Sequence, residues 1–237
     1  MNEQPLPGGF VNEVVRVGDT VRRRTSERSD FVHRLLLHLE RHGWPGAPRF
    51  LGIDGQGREV LTFLEGHVPA RSTGDLAELA RLVRRFHDLT AGTALAGDQE
   101  VVCHNDLAPR NTVYRDGVPV AVLDWDLAAP GARIHDVAHM CWQYLDLGPA
   151  VDDLAATGEQ LRVLCDAYGL DDRSQVVEMI LWWQDRCAEG IENDPALARL
   201  RESGAVRSVR NAQTWVAENR TGLEAALKPP PAPQISP

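Results

Sequence analysis

The spacing of apolar positions along the chain changes character near residue 75. Before it, short apolar-rich runs alternate with turn residues. Residues 10–17 and 20–23 flank Gly18-Asp19, and residues 49–53 and 59–64 flank Asp54-Gly55-Gln56-Gly57, so two hairpins are predicted. Between them Phe31, Val32, Leu35, Leu36 and Leu39 recur at helical spacing behind Ser29, a suitable cap, and Gly43, Pro45 and Pro48 end that helix. After the segment GHVPARSTG the period becomes helical, with helices predicted at 75–89, 135–146, 151–168, 173–192 and 206–226. The pattern predicts an α+β protein: a small β-rich lobe over 1–64, a larger mainly helical lobe over 65–227, and a proline-rich tail at 228–237.

One stretch interrupts the helices. Asp116-Gly117 is a two-residue hairpin signal between 112–115 and 118–123. If Arg115 faces Val118, then Asn111 faces Val122, and Asp124 projects to the same sheet face as Asn111. Asp106 lies on the loop that enters the hairpin. Two carboxylates and an amide at its open end make a site for a hard cation with one carboxylate to spare.

Charge narrows the partners. There are 34 acidic residues against 25 basic ones and a formal net charge of -9, which argues against nucleic acid or an anionic membrane and suits a cationic ligand. Lys228 is the one lysine, so the remaining basic residues are arginines. A phosphate loop with a GK[ST] step is therefore excluded. No apolar run approaches the ~18 residues of a membrane span, and MNEQPLPGG has no secretory pattern, so a cytoplasmic protein is expected. Cys103, Cys141, Cys165 and Cys187 are too scattered for a zinc motif and read as reduced core residues.

His104-Asn105-Asp106-Leu107-Ala108-Pro109-Arg110-Asn111 fits H-x-D-x-x-x-x-N, and Asp124-Trp125-Asp126 follows thirteen residues after Asn111. With Gly131 to Asp136 and Val137-Ala138 behind, Gly8-Gly9 and Val15-Arg16-Val17 at the start, and Phe63-Leu64-Glu65-Gly66 between, residues 8–140 resemble the aminoglycoside phosphotransferase and choline kinase family of small-molecule kinases. The resemblance implies a bilobal protein-kinase-like fold and transfer of the γ-phosphate of ATP or GTP, with Mg²⁺, to a hydroxyl of a small molecule such as an aminoglycoside, amino alcohol or sugar. It implies Asp106 as base, Asn111 and Asp124 as metal ligands, His104 as a brace of the loop and Arg110 as a partner of substrate or phosphoryl group. Asp136 is implied as structural support for the catalytic loop. Gly9, Phe63 and Leu64 are implied at the nucleotide.

Two departures matter. The strand lysine that grips phosphate in this fold is missing, and matching Asp19-Thr20-Val21-Arg22 to V-A-I-K puts Arg22 in its place, with Arg23 as the alternative. The helix glutamate that pairs with it falls by spacing on Val32, leaving Asp30 or Glu13 as substitutes. For the acceptor, Asp126, Trp142, Trp182, Trp183, Asp185, Glu189 and Glu192 are candidate liners. Trp182, Asp185 and Glu189 share one helix face and would suit a polyamine or quaternary ammonium. Two rival readings are a kinase-like binding protein without turnover and a metal phosphohydrolase built on His104, His135-Asp136 and His139.

Overall fold

In the computed structural model, which describes residues 3–6, 14–72 and 74–228, the N-terminal part is an antiparallel sheet. Its strands are β1 (Gln4–Pro5), β2 (Val15–Val17), β3 (Thr20–Arg24), β4 (Phe50–Ile53) and β5 (Arg58–Thr62), in the order β1-β2-β3-β5-β4. Gly18 closes the β2–β3 turn at φ +61°, a left-handed conformation that glycine adopts at little cost. At the β4–β5 turn Asp54 Oδ1 accepts the backbone N–H groups of Gln56 and Arg58 at 2.9 and 3.0 Å. Gly8, Gly9, Phe10, Asn12 and Glu13 lie outside the described residues. Edge strand β1 has no counterpart in the sequence expectation.

Helix α1 (Ser29–Arg41) buries Val32, Leu35, Leu36 and Leu39 to 1% exposure or less. At ~1.5–3 kcal/mol for each buried aliphatic side chain, that stripe, rather than capping, holds the helix in place. Ser29 is the first helical residue and not its cap; its Oγ accepts the N–H of Ser26 at 2.8 Å.

The C-terminal part begins with α2 (Leu76–Thr90), capped by Asp75 through the N–H groups of Ala77 and Glu78. Next come β6 (Val101–Cys103), the hairpin β7 (Thr112–Arg115) and β8 (Val118–Val122), and β9 (Ala129–Gly131), which pairs with β6. Helices α3 (Arg133–Tyr144), α4 (Leu154–Tyr168), α5 (Val176–Asn193), α6 (Ala198–Glu202), α7 (Ala205–Glu218) and α8 (Arg220–Leu227) complete the chain. The helix expected over 206–226 is two, separated at Asn219. Helix α4 packs on α2 and α8, and α5 packs on α3 and α7. Between the sheet and the helices Trp44, Phe86 and Trp125 form an aromatic cluster. The Phe86 and Trp125 centroids are 4.8 Å apart in an edge-on arrangement, a favoured geometry for aromatic pairs. No helix of the described residues is long and apolar enough to cross a membrane.

Candidate active site

The loop between β6 and β7 is pinned from beneath. Asp136, fully buried at the start of α3, accepts the backbone N–H groups of His104 and Asn105 at 2.6 and 2.8 Å and His87 Nε2 at 3.0 Å. Burial alone would raise the Asp136 pKa. The His87 hydrogen bond and charge, with the two imidazoles and backbone donors around it, hold it below the usual carboxylate value. Asn105 is forced to φ 64°, a conformation that asparagine tolerates better than most residues. His104 is buried between two contacts: its Nδ1 accepts the N–H of Asp106 at 3.2 Å, and Nε2 meets the Leu123 carbonyl at 3.0 Å. A neutral ring with the proton on Nε2 satisfies both.

Asp106 emerges from this brace with each carboxylate oxygen held. Arg110 Nη2 donates to Oδ1 at 2.8 Å and Asn111 Nδ2 to Oδ2 at 2.7 Å. Asn111 Nδ2 also donates to the Asp106 carbonyl at 2.9 Å, so the amide nitrogen is committed and Oδ1 is left as the group able to meet a cation.

The hairpin departs from the expected register. Arg115 pairs with Val118, but the register shifts between Val113 and Tyr114, so Thr112 rather than Asn111 faces Val122. The extra residue lies on β8, a bulge that turns its end by one position. The N–H of Leu123 then donates to Asn111 O at 2.7 Å, and Asp124 takes φ 60° and ψ 70°. Strict alternation therefore does not aim Asp124; a bulge and a left-handed backbone do. Trp125 is 2% exposed in the aromatic cluster, with Nε1 donating to Val122 O, which leaves Asp124 and Asp126 on the open side of the loop. A half-exposed carboxylate and a free amide oxygen at neighbouring positions are donors that fit a hard divalent cation.

Across from this loop stands Arg23, not Arg22. Arg22 donates to Thr20 Oγ1 at 2.6 Å and lies 3.6 Å from Asp54 Oδ2, on the opposite sheet face from Arg23. Arg23 shares a sheet face with the core residues Val21 and Leu61. Its Nη2 donates to Asp126 Oδ1 at 2.5 Å, its Nη1 lies 3.3 Å from Asp124 Oδ1, and its Nε donates to Glu59 Oε1. Burial opposes the Arg23 charge, but Asp126, Glu59 and Asp124 outweigh it and raise the pKa. Glu59, 1% exposed on β5, also meets His33 Nε2 of α1 at 2.7 Å. Asp30 is exposed at the start of α1, and Val32, where spacing placed the glutamate, is core. Neither Glu59 nor His33 is among the sequence candidates. Their signal was a carboxylate at a core-facing strand position, since Glu59 alternates with Leu61.

The other expected residues divide. Phe63 and Leu64 are half-buried on the connection out of β5, where the Arg16 guanidinium stacks 3.6 Å from the Phe63 ring centroid. Gly9 lies outside the described residues. Trp142 is 6% exposed in the core, Asp185 is bound to Arg210 of α7, and Glu192 lies 3.8 Å from the same arginine. Trp182 is 42% exposed but packs on His135 and under Arg186, while Trp183 donates to His135 O. A cavity of about 420 Å³ opens instead beside Arg110, lined by Arg71, Ser72, Gln143, Asp146 and Gln160 among others, and by none of Trp142, Trp182, Asp185 and Glu189. On α5 it is Cys187, next to that face, whose thiol is pushed up by burial and by the nearby Asp106 charge.

The histidines do not form a metal centre of the phosphohydrolase type. His139 Nδ1 meets the Leu107 carbonyl and is buried. Among the described residues, the one cluster of potential ligands is His87, Cys103 and Asp136, which excludes His104, His135 and His139. Its atoms are spent on one another and on backbone, and Cys103 donates to Ala132 O with its thiol pushed far up by burial.

A braced loop carrying Asp106 and Asn111, a hairpin ending in Asp124, and a strand arginine facing them define a phosphotransferase of protein-kinase-like fold. The phosphotransferase enzyme family profile matches residues 2–99 and 93–176, and the chain belongs to that family, whose members include aminoglycoside and choline kinases. The trifolitoxin immunity protein of Rhizobium leguminosarum bv. trifolii is 30% identical over 256 residues, which covers 94% of this chain and 97% of the relative. Among solved structures, a choline/ethanolamine kinase family protein from Mesorhizobium loti superposes with a TM-score of 0.62 at 17% identity, over 96% of this chain and 92% of that one. The choline kinase of Streptococcus pneumoniae gives 0.61 at 11% identity over 92% and 94%, and an aminoglycoside phosphotransferase of Streptomyces rimosus 0.59 at 15% over 76% and 91%.

Proposed function

We propose that this enzyme moves the γ-phosphate of a magnesium nucleoside triphosphate to a hydroxyl of a small molecule, with Asp106 as the base that orients and deprotonates it. The carrying observation is Asp106 itself. Arg110 and Asn111 hold its carboxylate from two sides, on a backbone fixed by buried Asp136. Little covalent chemistry is asked of the protein in such a transfer; positioning and charge neutralisation dominate. Magnesium, when held by Asn111 and Asp124, supplies charge neutralisation at the phosphates. Arg23 supplies the guanidinium that grips phosphate oxygens in place of a lysine. The acceptor oxygen forms its bond to phosphorus as the bond to the nucleoside diphosphate breaks, and its proton passes to Asp106.

The cavity beside Arg110 is the acceptor site in this reading. Its charged liners are Arg71, Arg110 and Asp146; Arg71 lies 3.6 Å from Asp146 and Arg110 2.8 Å from Asp106, so each guanidinium is paired with one carboxylate. That balance, without the row of carboxylates expected from α5, favours neutral hydroxyl compounds over a polyamine. The immunity role in the name of the Rhizobium relative supports a protective modification of an antimicrobial compound. A coupled nucleotide-turnover screen over hydroxylated peptides, hydroxy acids, sugars, amino alcohols and aminoglycosides tests this, with ATP and GTP as donors. Turnover is expected with a neutral acceptor; turnover confined to polycations would contradict the acceptor assignment, and none with any class would count against transfer.

A further inference from the structure

We infer that Glu59 and His33 form a positioning pair that anchors the phosphate-gripping arginine by its Nε edge and so keeps its Nη edge aimed at the cleft, doing from a strand what a helix glutamate does elsewhere in this fold. The inference rests on the reading of Arg23, Asn111 and Asp124 just given.

The geometry divides the guanidinium of Arg23 into two edges. The Nε edge is taken by Glu59, opposite Arg23 in the β3–β5 register. Glu59 is fixed in turn, since its second oxygen meets His33 Nε2 at 2.7 Å. The His33 ring is stacked on Phe50 with centroids 3.7 Å apart and an interplanar angle of 14°. Two elements, α1 and β4, therefore locate one carboxylate, and that carboxylate locates the arginine. The Nη edge faces the cleft and meets Asp126 at 2.5 Å and Asp124 at 3.3 Å.

Charge gives the arrangement its consequence. Glu59, Asp124 and Asp126 surround one guanidinium, so three carboxylates face a single fixed cation. Asp124 is the carboxylate that would hold a divalent cation, and the cation's charge would weaken the pull of Asp124 on the Arg23 guanidinium. The Nη edge of Arg23 would then be free to turn to phosphate oxygens. With Nε anchored on Glu59, only the Nη contacts change hands. Without that anchor the whole fork, Nε included, could turn onto Asp124 and Asp126, which the Nη edge already meets, and phosphate would have to compete with both carboxylates for it. Glu59 thereby limits how far Arg23 can turn onto the metal ligand, through contacts to Arg23 and His33 alone.

The test is equilibrium binding of a non-hydrolysable ATP analogue at a series of Mg²⁺ concentrations, read by calorimetry and independent of turnover. Glu59→Gln keeps the shape and removes the charge. It is expected to raise the Mg²⁺ concentration for half-maximal binding by about tenfold or more, the usual scale for loss of a group that supports a metal ligand. His33→Phe keeps the stack on Phe50 and removes the hydrogen bond, and should shift the same midpoint in the same direction by less. If Glu59→Gln does not fold, His33→Phe decides. A lowered melting temperature with an unmoved Mg²⁺ midpoint in either folded variant would make the pair a structural staple and overturn the inference. Absence of Mg²⁺-dependent binding in the unaltered protein would instead defeat the functional reading on which it rests.

Discussion

Val21 and Leu61 pack into the core, and strand alternation carries Arg23 and Glu59 to that same face while Arg22 turns toward Asp54. Matching residue by residue to a lysine motif favoured Arg22; a period-two reading of Val21 and Arg23 favours Arg23. The motif residues His104, Asp106, Asn111 and Asp124 were legible because loop chemistry demands particular side chains in a particular order. Glu59 and His33 were not, since their roles arise from a cross-strand pairing and a helix docking that no local motif encodes. At this scale Arg23→Ala should weaken nucleotide binding by about tenfold or more, the loss of a charge-assisted contact. Arg22→Ala should leave it within twofold, or about 0.4 kcal/mol. Nucleotide affinity measured for both decides between the two arginines; the reverse ranking would return the role to Arg22.

The helix stripes gave their elements away through period alone, and Asp75 and Gly169 mark ends that the pattern could find. What the pattern could not show is where an element bends. The bulge on β8 and the left-handed Asp124 reset the aim of the hairpin by one position. The separation of α7 from α8 at Asn219 likewise leaves no break in apolar spacing. A second device at this scale is the strap after β5, where His67 pairs with Tyr114 of β7. Gly66 takes φ +149° there, and a Cβ would stand 2.4 Å from Val113 Cγ1 and 2.7 Å from the Tyr114 carbonyl. Because one of those neighbours is backbone, relief by a rotamer change is not open. Gly66→Ala should lower stability by roughly 1–3 kcal/mol, measured by denaturant unfolding; an unchanged midpoint would show that the strap does not hold the hairpin.

For the whole molecule, the deep acidic balance of the composition resolves into local tasks. Asp106 and Asp124 face the cleft, Asp136 carries the loop between β6 and β7, and several others end in arginine pairs such as Asp185 with Arg210. Net charge says nothing of where charges gather: the cavity beside Arg110 is lined by Arg71, Arg110 and Asp146. Protonation couples to the global fold through His139 and His135, whose pKa values burial lowers. Such a group is neutral when folded and takes up a proton on unfolding at lower pH. Its stabilising contribution is therefore complete above the ordinary histidine value of about 6.5 and is lost as pH falls below it. The melting temperature should change little from pH 8 to 7 and decline below about 6.5. A flat profile down to pH 5.5 would show that neither imidazole is held neutral.

The most direct test of the central claim is ³¹P NMR of the reaction mixture, run in parallel for the unaltered enzyme and Asp106→Asn with a turned-over acceptor and magnesium nucleotide. The account predicts a new phosphomonoester resonance from the unaltered enzyme and, from the variant, its formation slowed by about 10²–10⁴-fold while nucleotide binding persists. Equal phosphomonoester formation by Asp106→Asn, or inorganic phosphate in place of a phosphomonoester beside the nucleoside diphosphate from the unaltered enzyme, would contradict it.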